Sequence, residues 1–367
     1  MKLMLLSAGS AIHTQRWANG LADAGVEVLC VSQHDFMPEG WDARVVCVRL
    51  PRGGRTGYFL NARAVARLFG QHGCELLNAH YATGYGVLAM QSGVRPRLVS
   101  VWGSDVYDFP RGSKLHRALL RRVLGSADAL ASTSLAMARQ VDQVLAGVAP
   151  ARPIAITPFG VDTGRFSPAS EVRARGMPLV IGTVKVLAPK YGIDTLICAF
   201  ALLPPEHAGE ALALRIVGDG PQRAELQALA AALKVSGRIQ FIGAVPHAEV
   251  PVQLCGFDIF VAASRLDSES FGVAVIEASA CGLPVVVTRA GGLPEVVRDG
   301  ETGLIVPRDD PPALAAAMRR LVEDPALRAR LGTAGRAWVQ REYEWSACVR
   351  RMVEVYRSLR AAPETPA

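Results

Sequence analysis

Apolar positions along the chain recur in two alternating rhythms. "KLMLLS", from Lys2, is a short unbroken apolar run, the pattern of a strand buried on both faces. A glycine turn at Gly9-Ser10 follows, then "TQRWANGLADAG" with helical spacing, then the run "VEVLCVS". "CELLNAH", "RLVSVW" and "ALASTS" repeat the strand pattern, each ahead of a helical segment. Strands alternating with helices through short connections predict a parallel, doubly wound sheet. The rhythm breaks over residues 165–178, "RFSPASEVRARGMP", whose prolines, glycine and polar side chains read as a linker. It restarts with "PLVIGTVKVL", the helix "IDTLICAFALL", "LALRIVGDG", the helix "QRAELQALAAAL", "RIQFIG" and "DIFVAAS". A last helix, about 346–359, is long enough to return to the first half. The predicted fold class is α/β, with Rossmann-like parallel-sheet domains at 1–168 and 176–346 and the segment from about 347 to 367 joining the first. Ligands of such sheets bind beyond the carboxyl ends of the strands, and two facing sheets leave a cleft.

Composition narrows the class. A length of 367 residues fits two domains, and 50% hydrophobic with 20% charged residues supports large cores and argues against disorder. No apolar run approaches the roughly 20 residues of a membrane span. "MKLMLLSAG", with one lysine and no clear cleavage site, reads as a first strand and not as a signal peptide. The seven cysteines are scattered without metal-ligand spacing and read as reduced thiols of a cytoplasmic protein. A net charge of +7 suits anionic substrates or a membrane surface, without the basic runs and interleaved aromatics of nucleic-acid binders. A dinucleotide site is disfavoured: in "GDGPQR" Arg223 stands where the third glycine belongs, and "SAGSAIHT" offers only Gly9.

Candidate chemistry concentrates in residues 267–287, "DSESFGVAVIEASACGLPVVV". Ser268 or Ser270 is placed to cap a helix that runs through Val275, Ile276 and Ala278 and stops near Gly282. Glu269 then lies in the loop ahead of the helix and Glu277 inside it, among apolar neighbours that argue against a surface position. A helix start with the N–H groups of Ser270, Phe271 and Gly272 suits phosphate. Lys185 and Lys190 follow the strand "VIGTV". They are either solvated loop lysines or a cationic clamp.

These motifs carry a resemblance. "ESFGVAVIEASACGLPVVV" resembles the E-x7-E signature of the retaining glycosyltransferases of family 4, which have the GT-B fold. "IHTQRWANGLADAGVEVLCVS", "NAHYATGYG", "VWGSDV", "TPFGVD", "VGDGP" and "AGGLPEVVRDGETGLIVP" follow the family's order, so the likeness spans nearly the whole chain. It implies transfer of a sugar from a nucleoside-diphosphate donor, most often UDP and next GDP, to an acceptor hydroxyl with retention of configuration. It implies no metal or cofactor, a donor site in the second domain and an acceptor site in the first. The acceptor would be a polysaccharide or lipid-linked precursor, or a small molecule. A GT-B epimerase or phosphorylase, or a two-lobed binding protein, are the other classes in view.

By the same resemblance, Lys190 and Lys185 would touch the diphosphate. Lys185 replaces the family's arginine and lacks its bidentate fork. Glu269 would lie against the donor sugar and Glu277 on the ribose hydroxyls. Ser270, Phe271 and Gly272 would offer backbone N–H groups to phosphate, and Val245 in "FIGAVP" would lie near the base. Gly9, Gly218, Gly220, Gly291 and Gly292 either permit close backbone approach or are turn formers. Trp102 stands where many relatives carry histidine, ahead of Gly-x-Asp, and is either a sugar platform or core. Asp105 remains to orient a hydroxyl. His13 and His80 are acceptor-side candidates or structural groups. Finally, Lys114, Arg117, Arg121 and Arg122 fall on one helical face, with Leu115, Leu119, Leu120, Val123 and Leu124 on the other. That face is either solvated or a peripheral dock for an anionic membrane.

Overall fold

In the computed structural model, which describes residues 1–148, 153–169 and 177–361, the apolar runs form two separate parallel sheets. The first contains β1 (Lys2–Leu6), β2 (Glu27–Ser32), β3 (Val46–Arg49), β4 (Leu76–His80), β5 (Arg97–Val101), β6 (Ala129–Ser132) and β7 (Ile154–Ile156). Their order is β3-β2-β1-β4-β5-β6-β7. Leu3 of β1 pairs with Val28 on one side and Leu76 on the other. Leu3, Met4, Leu5 and Leu6 are all fully buried, which is why this strand shows no polar alternation. Strand order reverses between β1 and β4, so the loops after these strands diverge and open a crevice.

The second sheet contains β8 (Leu179–Val184), β9 (Glu206–His207), β10 (Glu210–Val217), β11 (Ile239–Gly243), β12 (Ile259–Ala262), β13 (Val285–Thr288) and β14 (Leu304–Val306). Its order is β11-β10-β8-β12-β13-β14, with β9 antiparallel to β10. Here the reversal falls between β8 and β12. Ile181, Leu214 and Ile259 join Leu196, Phe200 and Met318 in one buried cluster, which fixes where the loops leave the strands.

The chain divides into two compact units, Met1–Pro158 with Ser346–Ala367, and Phe159–Trp345. The closing helix, Trp345–Ala361, buries Tyr356 in the first unit, where its hydroxyl accepts from Asn78 Nδ2 at 2.8 Å. Arg360 adds an ion pair with Glu75 at 2.6 Å. The boundary expected at 168 moves back to 158. Thr163 Oγ1 donates to Glu344 at 2.7 Å, Arg336 donates to the Phe166 carbonyl at 3.1 Å, and the Phe166 ring is buried. The remainder of the expected linker, 170–176, and the end of the chain, 362–367, lie outside the described residues.

Candidate active site

The switch point of the second sheet gathers opposite charges. Lys185 follows the end of β8, and the loop 263–272 follows β12. Lys185 Nζ lies 2.9 Å from Glu269 Oε2 and 3.0 Å from Oε1. Ser264 Oγ donates to the same carboxylate at 3.4 Å. Both side chains are largely withdrawn from water, at 19% and 8% exposure. Burial works against the Lys185 charge, but Glu269, Tyr191 and Glu277 more than offset it and hold the ammonium above its ordinary value. Lys190 joins through an aromatic ring: Lys185 Nζ and Lys190 Nζ lie 4.7 and 4.8 Å from the Tyr191 centroid. The Lys190 carbonyl accepts from Arg265 N at 2.9 Å, and Arg265 pairs with Asp194 at 2.7 Å. Lys185 is therefore a positioned, largely desolvated group, and Lys190 is half-buried beside the same ring.

Neither serine caps the following helix. Val273–Ala280 begins at Gly272, whose φ of +102° no side chain adopts readily, and no side chain caps it. Ser268 and Ser270 are buried in the loop instead, and Ser268 Oγ has no hydrogen-bond partner among the described residues. The Phe271 ring is core, 6.0 Å from Phe159 and 5.6 Å from Tyr343, which leaves its backbone for any ligand contact. Gly291 and Gly292 lie against this loop: a Cβ would stand 2.1 Å from the Glu269 carbonyl oxygen or 2.2 Å from that of Ser270. Gly218 abuts the Lys185 carbonyl and Gly220 that of Leu187, while within the first unit Gly9 abuts the Phe36 ring. The close approach expected of these glycines is thus to the protein's own backbone and rings. Glu277, 4% exposed, accepts at Oε1 from His247 Nε2 at 2.8 Å, and Val245 lies two residues before that histidine.

The first unit's switch point is different. His13, His80 and Trp102 come together there: Trp102 lies 4.5 Å from His80, 6.0 Å edge-on from His13 and 5.2 Å from Tyr81, between ring centroids. Trp102 is half-buried, a face among rings and not plain core. His80 Nδ1 meets Ser7 Oγ at 3.2 Å. Burial, with His13 nearby, pushes His80 down to about 3, so its imidazole is neutral. Asp105 corrects the expectation of a hydroxyl-orienting group. It is 1% exposed and accepts from the backbone N–H groups of Ala82 at 2.8 Å, Gly103 at 2.8 Å and Trp102 at 3.2 Å. Burial raises its pKa against those bonds, and the carboxylate ties the loop after β4 to the loop after β5. The basic helix, Lys114–Ser126, also departs from expectation. Arg121 Nε donates to the Val144 carbonyl at 2.7 Å, and Leu115, expected against the core, is 81% exposed.

Residues 169–338 match the family described as glycosyl transferases group 1, and residues 2–134 match glycosyl transferase 4-like. A GDP-mannose-dependent alpha-(1-6)-phosphatidylinositol monomannoside mannosyltransferase of Mycolicibacterium smegmatis is 34% identical over 318 residues, 82% of this chain and 81% of that protein. The chain belongs to the group 1 glycosyltransferases. A D-inositol 3-phosphate glycosyltransferase of Acidothermus cellulolyticus is 36% identical over 268 residues, 67% of this chain and 58% of that protein. Sucrose-phosphate synthase from Thermosynechococcus elongatus superposes with a TM-score of 0.84 at 24% identity, covering 99% of this chain and 100% of that one. Anabaena HepE in complex with UDP gives 0.82 at 19%, covering 98% and 100%. At these identities the likeness shows the fold, which is GT-B.

Several groups of this glycosyltransferase escaped the sequence reading. His247 is 30 residues from Glu277, and only its place just past the end of β11 marked it. Tyr191, between Lys190 and Gly192, went unread, although its place as an aromatic beside a cation is a signal the sequence carries. Arg308, bonded to Asp267, and Arg265, bonded to Asp194, brace the acid loop from distant segments and left no local signal.

Proposed function

We propose that the chain transfers a hexosyl group from a nucleoside-diphosphate sugar to an acceptor hydroxyl with retention of configuration and without a metal ion. The observation that carries this reading is the Lys185–Glu269 pair, with Lys190 across Tyr191, at the carboxyl ends of β8 and β12. Charge grows on the leaving diphosphate as the bond to the anomeric carbon breaks. The largely desolvated Lys185 ammonium, with Lys190 beside it, is suited to receive it. Glu269 accepts from a sugar hydroxyl and faces the positive charge developing at the anomeric carbon. The acceptor oxygen bonds to that carbon on the face the phosphate leaves, and its proton passes to a departing phosphate oxygen. Glu277 takes the ribose hydroxyls.

GDP-mannose is the first donor to test, ahead of the UDP-sugar expected of the wider family, because the Mycolicibacterium smegmatis relative is described as GDP-mannose-dependent. An acceptor built on a lipid-linked phosphorylated cyclitol is suggested by the same description. A soluble cyclitol phosphate is the second reading, favoured by the Acidothermus cellulolyticus relative. A thermal-shift panel of GDP, UDP, ADP and CMP separates the donors, since a ligand at 100 times its Kd adds about 2.7 kcal/mol. Stabilisation by UDP alone overturns the GDP assignment. Proton NMR of the product from GDP-mannose and each acceptor reads the anomeric configuration, and an inverted product overturns the retaining mechanism.

A further inference from the structure

Glu277 is a carboxylate held almost out of water on the helix Val273–Ala280. Such a group needs a hydrogen-bonding partner to remain ionised in place. Its partner, His247, comes from a different element, the loop between β11 and the helix Val250–Cys255. The histidine is itself held. Its ring lies 5.7 Å from the buried Phe166 ring, and its carbonyl accepts from Arg165 Nη2 at 2.9 Å. Only Glu277 Oε1 is engaged by His247, which leaves the second oxygen as an acceptor for a hydroxyl.

We propose that His247 is a positioning residue for the ribose of the nucleotide. It anchors one oxygen of Glu277 so that the other accepts from the ribose diol, and it ties the loop holding Val245, on the base side, to the helix on the ribose side. The inference rests on the reading of the second unit as the donor site. A carboxylate anchored at one oxygen has lost its torsional freedom before the nucleotide arrives, so less ordering remains to oppose binding. A merely structural histidine would support folding and be indifferent to which hydroxyls the nucleotide carries.

The experiment compares wild type, His247→Ala and His247→Gln by isothermal titration with GDP, UDP and the 2′,3′-dideoxy form of each. For the nucleotide that wild type binds, His247→Ala weakens the ribose form about tenfold, the scale of a hydrogen bond to a charged group, and leaves the dideoxy form nearly unchanged. His247→Gln, which keeps an N–H donor, recovers most of the loss. Turnover assays show the same effect as a raised donor KM with kcat retained. Thermal melts confirm that each variant folds, and the glutamine variant keeps the test open should alanine unfold the loop. Equal loss for ribose and dideoxy forms, no loss at all, or a wild type indifferent to the ribose hydroxyls overturns the positioning role while the donor site stands. Failure of wild type to bind either nucleotide overturns the donor-site reading and this inference with it.

Discussion

The two switch points occupy the same place in two similar sheets and are furnished in opposite ways. In the second unit, Lys185 meets Glu269 and His247 meets Glu277, so each acid has a cationic or proton-donating partner within 3 Å. In the first, rings meet rings: His13, His80 and Tyr81 surround Trp102, and the buried acid Asp105 is occupied by backbone amides. A strand-end crevice supplies position, and the side chains that fill it decide the chemistry. Paired charges suit a diphosphate whose charge changes during reaction. The neutral His80 imidazole and an indole suit a polyol, whose hydroxyls and ring faces keep their charge state throughout.

The largest effect that would test this contrast is at Glu269. Glu269→Gln keeps size but removes the charge that faces the anomeric carbon, and kcat should fall about a hundredfold. Glu277→Gln should chiefly raise the donor KM. Stopped-flow or steady-state assays separate the two, and an intact kcat in Glu269→Gln would make the loop acid structural.

The lysines come next and should differ from each other. Each alanine variant should lower kcat/KM by about tenfold or more, roughly 1.4 kcal/mol. Lys185→Ala also strands the buried Glu269 carboxylate, so a loss of stability on the order of 1–3 kcal/mol accompanies it, whereas Lys190→Ala melts like wild type. Equal melting of the two variants would show that the Lys185–Glu269 pair contributes nothing to folding.

Sequence reading reached the sheets, both acids and the lysines, but not His247, the partner of Glu277. The strands of the two sheet centres were legible because strands buried on both faces are unbroken apolar runs. β3, β7, β9 and β14 were not: they are two to four residues long, and β3 is mostly exposed, so no periodicity accumulates. Lys185, Lys190 and Glu269 were legible as candidates beside strand ends and a helix start, Glu277 as an acid among apolar neighbours inside the helix, and their roles only through the resemblance of the E-x7-E signature. The glycines were left open between close approach and turn formation because sequence shows only that a side chain is absent, not what lies against the space. His247 and Asp105 depend on contacts between separate elements, which no local spacing encodes.

A third prediction concerns the neutral imidazole. His80 lies at about 3 when folded against an ordinary 6.5, so below 6.5 the unfolded chain binds a proton that the folded chain refuses. The stability tied to neutral His80 is fully present above about pH 6.5 and is lost progressively as pH falls toward 3. Asp105, raised by burial, works in the opposite direction over the acid end of that range. His80→Gln should therefore flatten the fall in melting temperature between pH 6.5 and 4.5. Parallel curves for variant and wild type would mean that His80 takes up a proton without resistance from its surroundings.

The smallest effect belongs to the surface of the first unit. Among the described residues no helix is long and apolar enough to cross a membrane. The helix Lys114–Ser126 offers less than its sequence promised, since Arg121 is bonded to Val144. A better face lies on the helices Gly54–Leu60 and Ala62–Gln71. Phe59 and Leu60 are 52% and 57% exposed, Arg52, Arg55, Arg63 and Arg67 of the same segment are exposed, and no acidic residue occurs in sequence between Asp42 and Glu75. Exposed aromatic and aliphatic side chains with arginines, and no acid to repel phosphate, complement an anionic bilayer. At about 1 kcal/mol per basic residue, four arginines would give reversible attachment that weakens with salt. Cosedimentation with phosphatidylglycerol vesicles should exceed that with phosphatidylcholine vesicles. Phe59→Ser/Arg63→Glu should lower it more than Arg117→Glu/Arg122→Glu does. Equal and negligible binding of all three proteins to both vesicles would remove the membrane from this picture and favour the soluble cyclitol phosphate as acceptor.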